Sequence, residues 1–411
     1  MSKPASGLRP CVPRVSVSSH VAASGAAATD VNACDEGAQR RLRVAFLTRR
    51  FGVRFGGAEA YGEHLVRALQ GLCDVHVFCQ EWDSRLVVNH TIVPRGKYLP
   101  RWLNLADFTR RCQSLVRGFD VVHTHENSGF GDVHGVHVMP VRYARLHVRH
   151  GWKNWLAVHT SPRWLGYLAM EAARMRPRPG KVIVAASELI AEQIAAAYRE
   201  TAPVTVITPG VYLPRQIPEQ VAARQALGLP ADERIALLVA NDPVRKGVET
   251  LLEALPAVPG VRLWVVGGEG DMPARVRHLA EAAGLAHRVR VWPGQSDLSN
   301  IYAAADFCVF PTRGDAFGMV PLEAMAYGLP VIMSGARYCG FARYVEPGTD
   351  ALILEDPHDA QTLAQLMRQL TDDADLYAQL REHGAARARQ FAWSDIARQF
   401  LAIYRQSAAR A

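Results

Sequence analysis

The stretch Phe307-Cys-Val-Phe310-Pro-Thr-Arg-Gly-Asp315-Ala-Phe-Gly-Met-Val-Pro321-Leu-Glu323-Ala-Met-Ala-Tyr327-Gly-Leu-Pro-Val331-Ile-Met333 carries the fold in miniature. Phe307 to Phe310 reads as a buried strand, because a parallel strand covered on both faces shows a continuous apolar run instead of alternation. A glycine-bearing loop follows. A helix is expected from Pro321 to Tyr327, with proline at its first position, where the missing N–H would have no partner anyway. Val331 to Met333 is the next apolar run. Strand, loop, helix and strand make the βαβ unit.

Working outward, the same alternation fills the chain. Upstream lie apolar runs at Arg234 to Ala240, Arg262 to Val266 and Val289 to Trp292, with helical periods at Val248 to Ala254, Ala274 to Ala283 and Leu298 to Ala304. Pro209, Gly210, Pro214 and Pro218 interrupt it, where neither helix nor strand continues easily. Before them, strands read at Leu42 to Thr48, Asp74 to Cys79, Asp120 to His125, Lys181 to Ala186 and Val204 to Thr208. Helices read near Ala58 to Gln70, Leu105 to Arg117, Trp164 to Met175 and Glu188 to Tyr198. The expected organisation is a disordered leader over 1–40, a Rossmann-like acceptor-side domain over 41–212, and a second Rossmann-like domain over 213–392. A last amphipathic helix over 393–411 has no strand partner of its own. Open α/β sheets bind ligands at the carboxyl ends of their strands, so two such domains facing each other enclose a cleft.

A chain of 411 residues suits two domains at roughly 150 residues each. With 49% hydrophobic and 21% charged residues it has the profile of a globular enzyme. No stretch approaches the roughly 18 apolar residues of a membrane-spanning helix, and the leader lacks the compact apolar run of a secretory signal. Seven scattered cysteines without a CxxC pair fit reduced cytoplasmic thiols better than disulfides or zinc. The net charge of +8 points to anionic partners.

Three loops hold the candidate site. In the first, free N–H groups and the positive end of a helix dipole suit a diphosphate, which makes Phe317, Gly318, Met319 and Val320 expected donor contacts. Asp315 and Glu323 can accept hydrogen bonds from sugar and ribose hydroxyls. Equally, Glu323 can be a capping-box carboxylate and Asp315 a turn former. In the second loop, Arg245 and Lys246 can neutralise a pyrophosphate without a metal, the arginine as a fork and the lysine as a point charge. By itself that loop also fits a solvated basic turn. In the third, Gly56 and Gly57 let backbone approach a phosphate, or simply serve a turn. His123, His125, His134 and His137 cluster after the middle strands of the first half, where an imidazole of near-neutral pKa could orient a sugar hydroxyl or exchange a proton, while at least two of the four are expected to be satisfied loop histidines. Their spacing matches no metal-ligand set.

The order of these pieces resembles the retaining glycosyltransferase family 4, of GT-B architecture, over about residues 42 to 405. The resemblance rests on Gly56-Gly57-Ala-Glu59, Val122-His-Thr-His125, Val206-Ile-Thr-Pro-Gly210, Arg245-Lys-Gly247, Val265-Val-Gly-Gly-Glu-Gly270, Tyr302-Ala-Ala-Ala-Asp306, Asp315 to Glu323, Gly328-Leu-Pro-Val331 and Phe391-Ala-Trp393. Within the family the chain is most similar to the lipopolysaccharide-core glucosyltransferases, through Arg-Lys-Gly without a preceding Gly-Arg and through the arginine-rich opening loop. The resemblance implies a last helix that crosses back to the first domain, a nucleoside-diphosphate sugar as donor, a glycan or glycolipid as acceptor, and retention of anomeric configuration. It assigns Arg245 and Lys246 to the diphosphate, Glu323 to the ribose hydroxyls and the carboxylate at 315 to the donor sugar. Asp315 departs from the family's Glu at that position. His137 aligns with a segment beside the donor sugar. No metal and no cofactor are expected.

Between Arg142 and Lys181, Tyr143, Trp152, Trp155, Trp164 and Tyr167 stand among many arginines and lysines, with Glu171 the only acid. Such a mixture fits an anionic membrane surface, with the protein on the inner face of the cytoplasmic membrane. It fits equally a solvated face over buried aromatics. Nucleic acid is not the expected partner, since none of the recognised binding motifs is present. A dinucleotide oxidoreductase would need GxGxxG after the first strand, and Arg49 to Glu59 fails that spacing. A nucleotide-sugar epimerase or a non-catalytic nucleotide-sugar-binding protein shares the architecture.

Overall fold

The computed structural model describes residues 40–96, 98–149, 151–230, 233–268, 270–295 and 297–410. The expected leader, but for Arg40, lies outside them, as does Glu269 of the Val265 to Gly270 segment.

The first sheet has seven strands: β1 Arg43–Leu47, β2 Asp74–Cys79, β3 Asn89–Ile92, β4 Val121–Thr124, β5 Val133–Val136, β6 Val182–Ala185 and β7 Val204–Val206. They lie in the order β3-β2-β1-β4-β5-β6-β7. The second has six: β8 Arg234–Val239, β9 Val261–Val266, β10 Val289–Trp292, β11 Phe307–Phe310, β12 Val331–Ser334 and β13 Leu352–Leu354, in the order β10-β9-β8-β11-β12-β13. Every pairing in both sheets is parallel. In each sheet the order reverses between its first and fourth strands, so each has a switch point where the flanking connections run to opposite faces. Such a point leaves a crevice at the strands' carboxyl ends.

Burial explains the strands. Ile235 to Leu238, Leu263 to Val266 and Phe307 to Phe310 are all buried, and each fully buried aliphatic or aromatic side chain contributes about 1.5–3 kcal/mol. The final helix, named α5 below, spans Trp393–Ala408. It presents Trp393, Ile396, Ala397, Phe400 and Tyr404 on one face at helical spacing. That face packs into the core of the first sheet with Phe46, Tyr61, Leu65 and Val66. The chain reaches it at Val211, whose N–H donates to the Phe391 carbonyl at 2.7 Å while the Trp393 N–H donates back to the Val211 carbonyl at 3.2 Å. The crossing helix expected from the resemblance is therefore present.

Three strands of the two large sheets escape the sequence reading, as does a separate pair of two-residue strands, Arg50–Phe51 and Glu81–Trp82. β5 is broken by His134 and Gly135, yet it is fully buried, with the His134 Nε2 at 3.0 Å from the Gly131 carbonyl and its Nδ1 buried without a partner. β3 is a mostly exposed, polar edge strand. β13 has only three residues. Trp152–Thr160, Ala360–Asp372 and Ala374–Arg389 form further helices. The described cysteines, Cys73, Cys79, Cys112, Cys308 and Cys339, are free and buried.

Candidate active site

At the second sheet's switch point, the loops after β8 and β11 are joined. The Arg313 N–H donates to the Arg245 carbonyl at 3.0 Å, and the Arg245 Nη1 donates to the Gly314 carbonyl at 2.7 Å. Gly247 explains the glycine of Arg-Lys-Gly. Its φ is +84°, and a Cβ there would lie 2.2 Å from the Pro311 carbonyl oxygen, so a side chain would force the loops apart. The two loops then act as one cradle.

Within it, Lys246 and Asp315 form a direct ion pair, Nζ to Oδ2, with side chains 8% and 24% exposed. The ammonium also sits 4.8 Å from the centre of the Phe310 ring. Asp315 is held from its backbone by the Tyr338 carbonyl, which accepts its N–H at 2.7 Å, and its Oδ1 accepts the Phe317 N–H at 3.3 Å. Asp315 is thus a turn former and an ion-pair partner at once. Arg245, 54% exposed at its side chain, pairs loosely with Asp242 at 3.6 Å and faces solvent.

The helix after β11, α4, spans Met319–Ala326. It begins two residues before the expected start, so Pro321 is its third residue, not its first. Gly318 provides the start with φ +104°, and a Cβ there would lie 2.6 Å from the Cys339 Sγ. No side chain caps α4, and the amides of Gly318, Met319 and Val320 have no hydrogen-bond acceptor among the described residues. Such an open row is an anion-binding arrangement. Phe317 contributes to the loop through its backbone. Its ring is buried against Phe341 at 5.3 Å and near Phe391, so only its backbone faces the loop.

Glu323, the fifth residue of α4, caps nothing. Its Oε2 accepts the Tyr302 hydroxyl at 2.9 Å, and burial raises its carboxyl to about 7, against the lowering effect of that hydrogen bond. Glu323 and Asp315 share no partner. The two carboxylates serve separate ends of the cradle.

The first sheet supplies the opposite wall. Gly56 precedes α1, Gly57–Leu69, and a Cβ at Gly56 would lie 3.9 Å from the Asn241 Nδ2 of the loop after β8. Gly57 has open space around its Cα. The Ser187 hydroxyl, after β6, donates to the Ala316 carbonyl at 2.5 Å. The Met319 side chain packs against the cores of both sheets. Ser187, Asn241 and Tyr302 were not singled out from the sequence. Tyr302 carried a signal there as the first residue of Tyr302-Ala-Ala-Ala-Asp306, and Asn241 as the residue that opens the loop of Arg245 and Lys246, where the family has Gly-Arg; Ser187 carried none.

Burial holds the four histidines neutral near pH 7. Burial lowers His137 to about 4, with Arg174 adding to the effect, and it lowers His123 to about 3. His125 and His134 fall well below the usual range for the same first reason. His123 lies within β4 and His134 within β5. His137 stands beside His125 and Tyr61, at 4.9 and 5.9 Å between ring centres, and its Nδ1 is buried without a partner. It makes no hydrogen bond to Asp315, Lys246 or Arg245. As a neutral imidazole it can still donate or accept one hydrogen bond.

Beside the cleft-forming sheet, α2 (Trp152–Thr160) and α3 (Pro162–Met175) form the basic aromatic region. Trp152 and Trp155 are 71% and 60% exposed, and Val148, Leu156 and Leu165 are exposed beside them. Arg145 stacks over Trp164 at 3.5 Å, with no carboxylate partner among the described residues. Glu171 turns inward, where it accepts the N–H groups of Val141 and Arg142 and the Tyr198 hydroxyl. No described helix is long and apolar enough to cross a membrane. Among the described residues no three His, Cys, Asp or Glu side chains could together hold a metal ion.

Comparison with known proteins matches residues 219–387 to the glycosyl transferases group 1 family and residues 55–215 to glycosyltransferase family 4. The lipopolysaccharide glucosyltransferase WaaG of Escherichia coli is 32% identical over 173 residues, 40% of this chain and 45% of that protein. A D-inositol 3-phosphate glycosyltransferase of Segniliparus rotundus is 34% identical over 212 residues, 49% of this chain and 46% of that protein. The aligned stretches thus span about half the length of these curated relatives. A crystal structure of WaaG superposes with a TM-score of 0.77 at 23% identity, over 88% of this chain and 99% of that one. Anabaena HepE in complex with UDP-glucose superposes at 0.71 and 18% identity, over 88% and 98%. These two share the fold. Taken with the cradle at the switch point and the crossing helix, the two family matches show that the chain belongs to the family 4 glycosyltransferases of GT-B architecture, with lipopolysaccharide-core glucosyltransferases among its relatives.

Proposed function

We propose that the protein is a retaining glycosyltransferase that moves a hexose from a nucleoside-diphosphate sugar, UDP-linked, to a hydroxyl of a glycan or glycolipid acceptor in cell-envelope polysaccharide synthesis, with the lipopolysaccharide core as the leading acceptor. The observation that carries this is the joined cradle. Two cations, Arg245 and Lys246, and the open amides of Gly318 to Val320 converge at one switch point, opposite the Gly56-Gly57 loop. They supply the charge neutralisation that a departing diphosphate needs, and for which other transferases use a metal ion. UDP as the nucleotide is supported by the fold shared with HepE, and the lipopolysaccharide core by the likeness to WaaG.

In this reading Glu323 takes the ribose hydroxyls, Arg245, Lys246 and the amides take the diphosphate, and Asp315 and His137 border the sugar. The bond from the sugar's C1 to the phosphate oxygen breaks, and its electron pair leaves with the diphosphate. The acceptor oxygen bonds to C1 from the same face, and its proton passes to the departing phosphate. Asp315 is not a nucleophile in this reading, since its carboxylate is paired with Lys246. The test is a panel of UDP-, GDP- and ADP-sugars against lipid-linked and soluble acceptors, scored by mass spectrometry. Free nucleoside diphosphate should appear only when an acceptor is present. If calorimetry finds that none of these sugars binds, the proposal is wrong.

The exposed face of α2 and α3 supports a peripheral site on an anionic cytoplasmic membrane, because its surface joins tryptophans to arginines and Lys153 while Glu171 is withdrawn. Basic residues near such a surface contribute about 1 kcal/mol each. Arg149→Ala with Lys153→Ala should therefore weaken co-sedimentation with phosphatidylglycerol vesicles about thirtyfold, at unchanged UDP affinity. Equal binding to phosphatidylcholine vesicles, or none to either, would remove this part of the reading.

A further inference from the structure

We infer that Tyr302 is a positioning residue for the nucleotide, acting through Glu323. This rests on the reading of Glu323 as the ribose carboxylate and adds what holds that carboxylate in place. Tyr302 lies on the short helix Ser299–Ala304, and its ring is buried. It stacks on Tyr327 with centres 5.1 Å apart and planes 22° from parallel. The Tyr327 hydroxyl in turn meets the Ser299 Oγ at 2.8 Å. The stack fixes where the Tyr302 hydroxyl points, and it points at one atom, the Glu323 Oε2 at 2.9 Å. The Glu323 Oε1 has no hydrogen-bond partner among the described residues. One carboxylate oxygen is thus anchored and the other is left to accept.

That division matters for a vicinal diol. A ribose offers two hydroxyl donors, and an ionised carboxylate receives both where a protonated one does not. The titratable groups facing Glu323 are Tyr302, with Tyr327 behind it, and Cys308 on β11. Burial pushes the Tyr302 hydroxyl and the Cys308 thiol up, so neither supplies charge. No cation lies among the groups that shift Glu323, and the Tyr302 hydrogen bond is what opposes its protonation. Without it, Glu323 would ionise only at higher pH, and the nucleotide would lose its acceptor at neutrality.

The experiment compares wild type, Tyr302→Phe, Tyr327→Phe and Glu323→Gln by calorimetry with UDP and with 2′,3′-dideoxy-UDP from pH 6 to 9. In wild type, UDP should tighten as the pH rises through about 7, while the dideoxy nucleotide should bind weakly and without that rise. Tyr302→Phe keeps the ring stack and should move the UDP profile upward by about one unit, so binding is about fivefold weaker at pH 7 and nearly restored at pH 9. Its donor KM should rise at unchanged kcat, as expected for an interaction equal in ground and transition states. Tyr327→Phe should leave the profile in place. Equal losses for both nucleotides at every pH, or an unmoved profile in Tyr302→Phe, overturn the inference and leave Tyr302 a packing residue. A wild-type strength of UDP binding in Glu323→Gln would instead overturn the ribose reading beneath it.

Discussion

Lys246→Met should lower kcat by about 10²–10³-fold, the usual cost of removing one preorganised group that faces developing charge. The ammonium is 8% exposed at its side chain and held between the Asp315 carboxylate and the Phe310 ring, so little reorganisation is needed when a diphosphate arrives. Arg245 makes the informative contrast. Its guanidinium is half-exposed and bonded to a loop carbonyl, so solvent screens it, and Arg245→Ala should cost about tenfold. Lys246→Met also leaves Asp315 partly buried and without its cation, a penalty of about 1–3 kcal/mol in folding stability. Adding Asp315→Asn removes that charge. The double variant should regain stability in urea titrations yet stay as inactive as Lys246→Met. Recovery of activity together with stability would show that Lys246 serves the loop and not the leaving group.

Much of this cradle was legible because it follows from strands. Ile235 to Leu238 and Phe307 to Phe310 are apolar without interruption, so they had to be buried strands, and the residues after them had to be loops at one end of a sheet. Arg245, Lys246 and Asp315 could be placed in neighbouring loops on that ground alone. Their contact could not. It depends on Gly247 letting the loop after β8 lie against the Pro311 carbonyl, a fact of packing between segments far apart in the chain. Glu323 shows the same limit. From sequence, a carboxylate expected three residues into a helix fits a cap. The structure starts α4 two residues earlier and sets Tyr302, from another helix, against it.

The histidines show a different gap. Residue type tells which group can titrate, and burial decides whether it does. His123, His125, His134 and His137 suggest proton exchange near neutrality when read as loop residues. Two of them are strand residues in the core, and all four are desolvated. Likewise Trp152 and Trp155 could have been buried or exposed on sequence grounds. Their exposure follows from α2 burying only Val158, which leaves most of that helix facing solvent.

Those buried imidazoles make the fold acid-sensitive, and stability should fall steeply between pH 7.5 and pH 5. His64 and His137 are lowered to about 4 and His123 to about 3, burial being the first cause in each. A histidine held neutral in the native state takes its proton only on unfolding, so the unfolded chain binds more protons below about pH 6.5. Stability from this source is complete above that value and is lost as the pH falls towards the folded-state pKa. At pH 5 the loss is about 2 kcal/mol per imidazole, or about 6 kcal/mol for the three. His125 and His134 add in the same direction. The charged groups facing them add to the lowering, Arg67 by His64, Arg174 by the other four, Lys181 and Arg178 by His134, and only the backbone hydrogen bonds to Gly131 at His134 and Gly135 at His137 oppose it, while the Tyr404 hydroxyl of α5 meets the His123 Nδ1 at 2.6 Å. Glu323 works the other way. Raised to about 7, it takes up a proton in the native state before the unfolded chain does, and returns about 2 kcal/mol over the same interval. The net loss for these four groups is then about 4 kcal/mol, a large share of the 5–15 kcal/mol that typically holds a domain together. Urea titrations at pH 7.5, 6 and 5 should show the midpoint falling in step. His64→Leu removes one proton-binding site and should flatten the slope, because no carboxylate with an ordinary pKa titrates so high. A midpoint constant from pH 7.5 to 5 would mean that these imidazoles take up their protons over the same range in the native and unfolded states, and a rising one that they are already protonated in the native state.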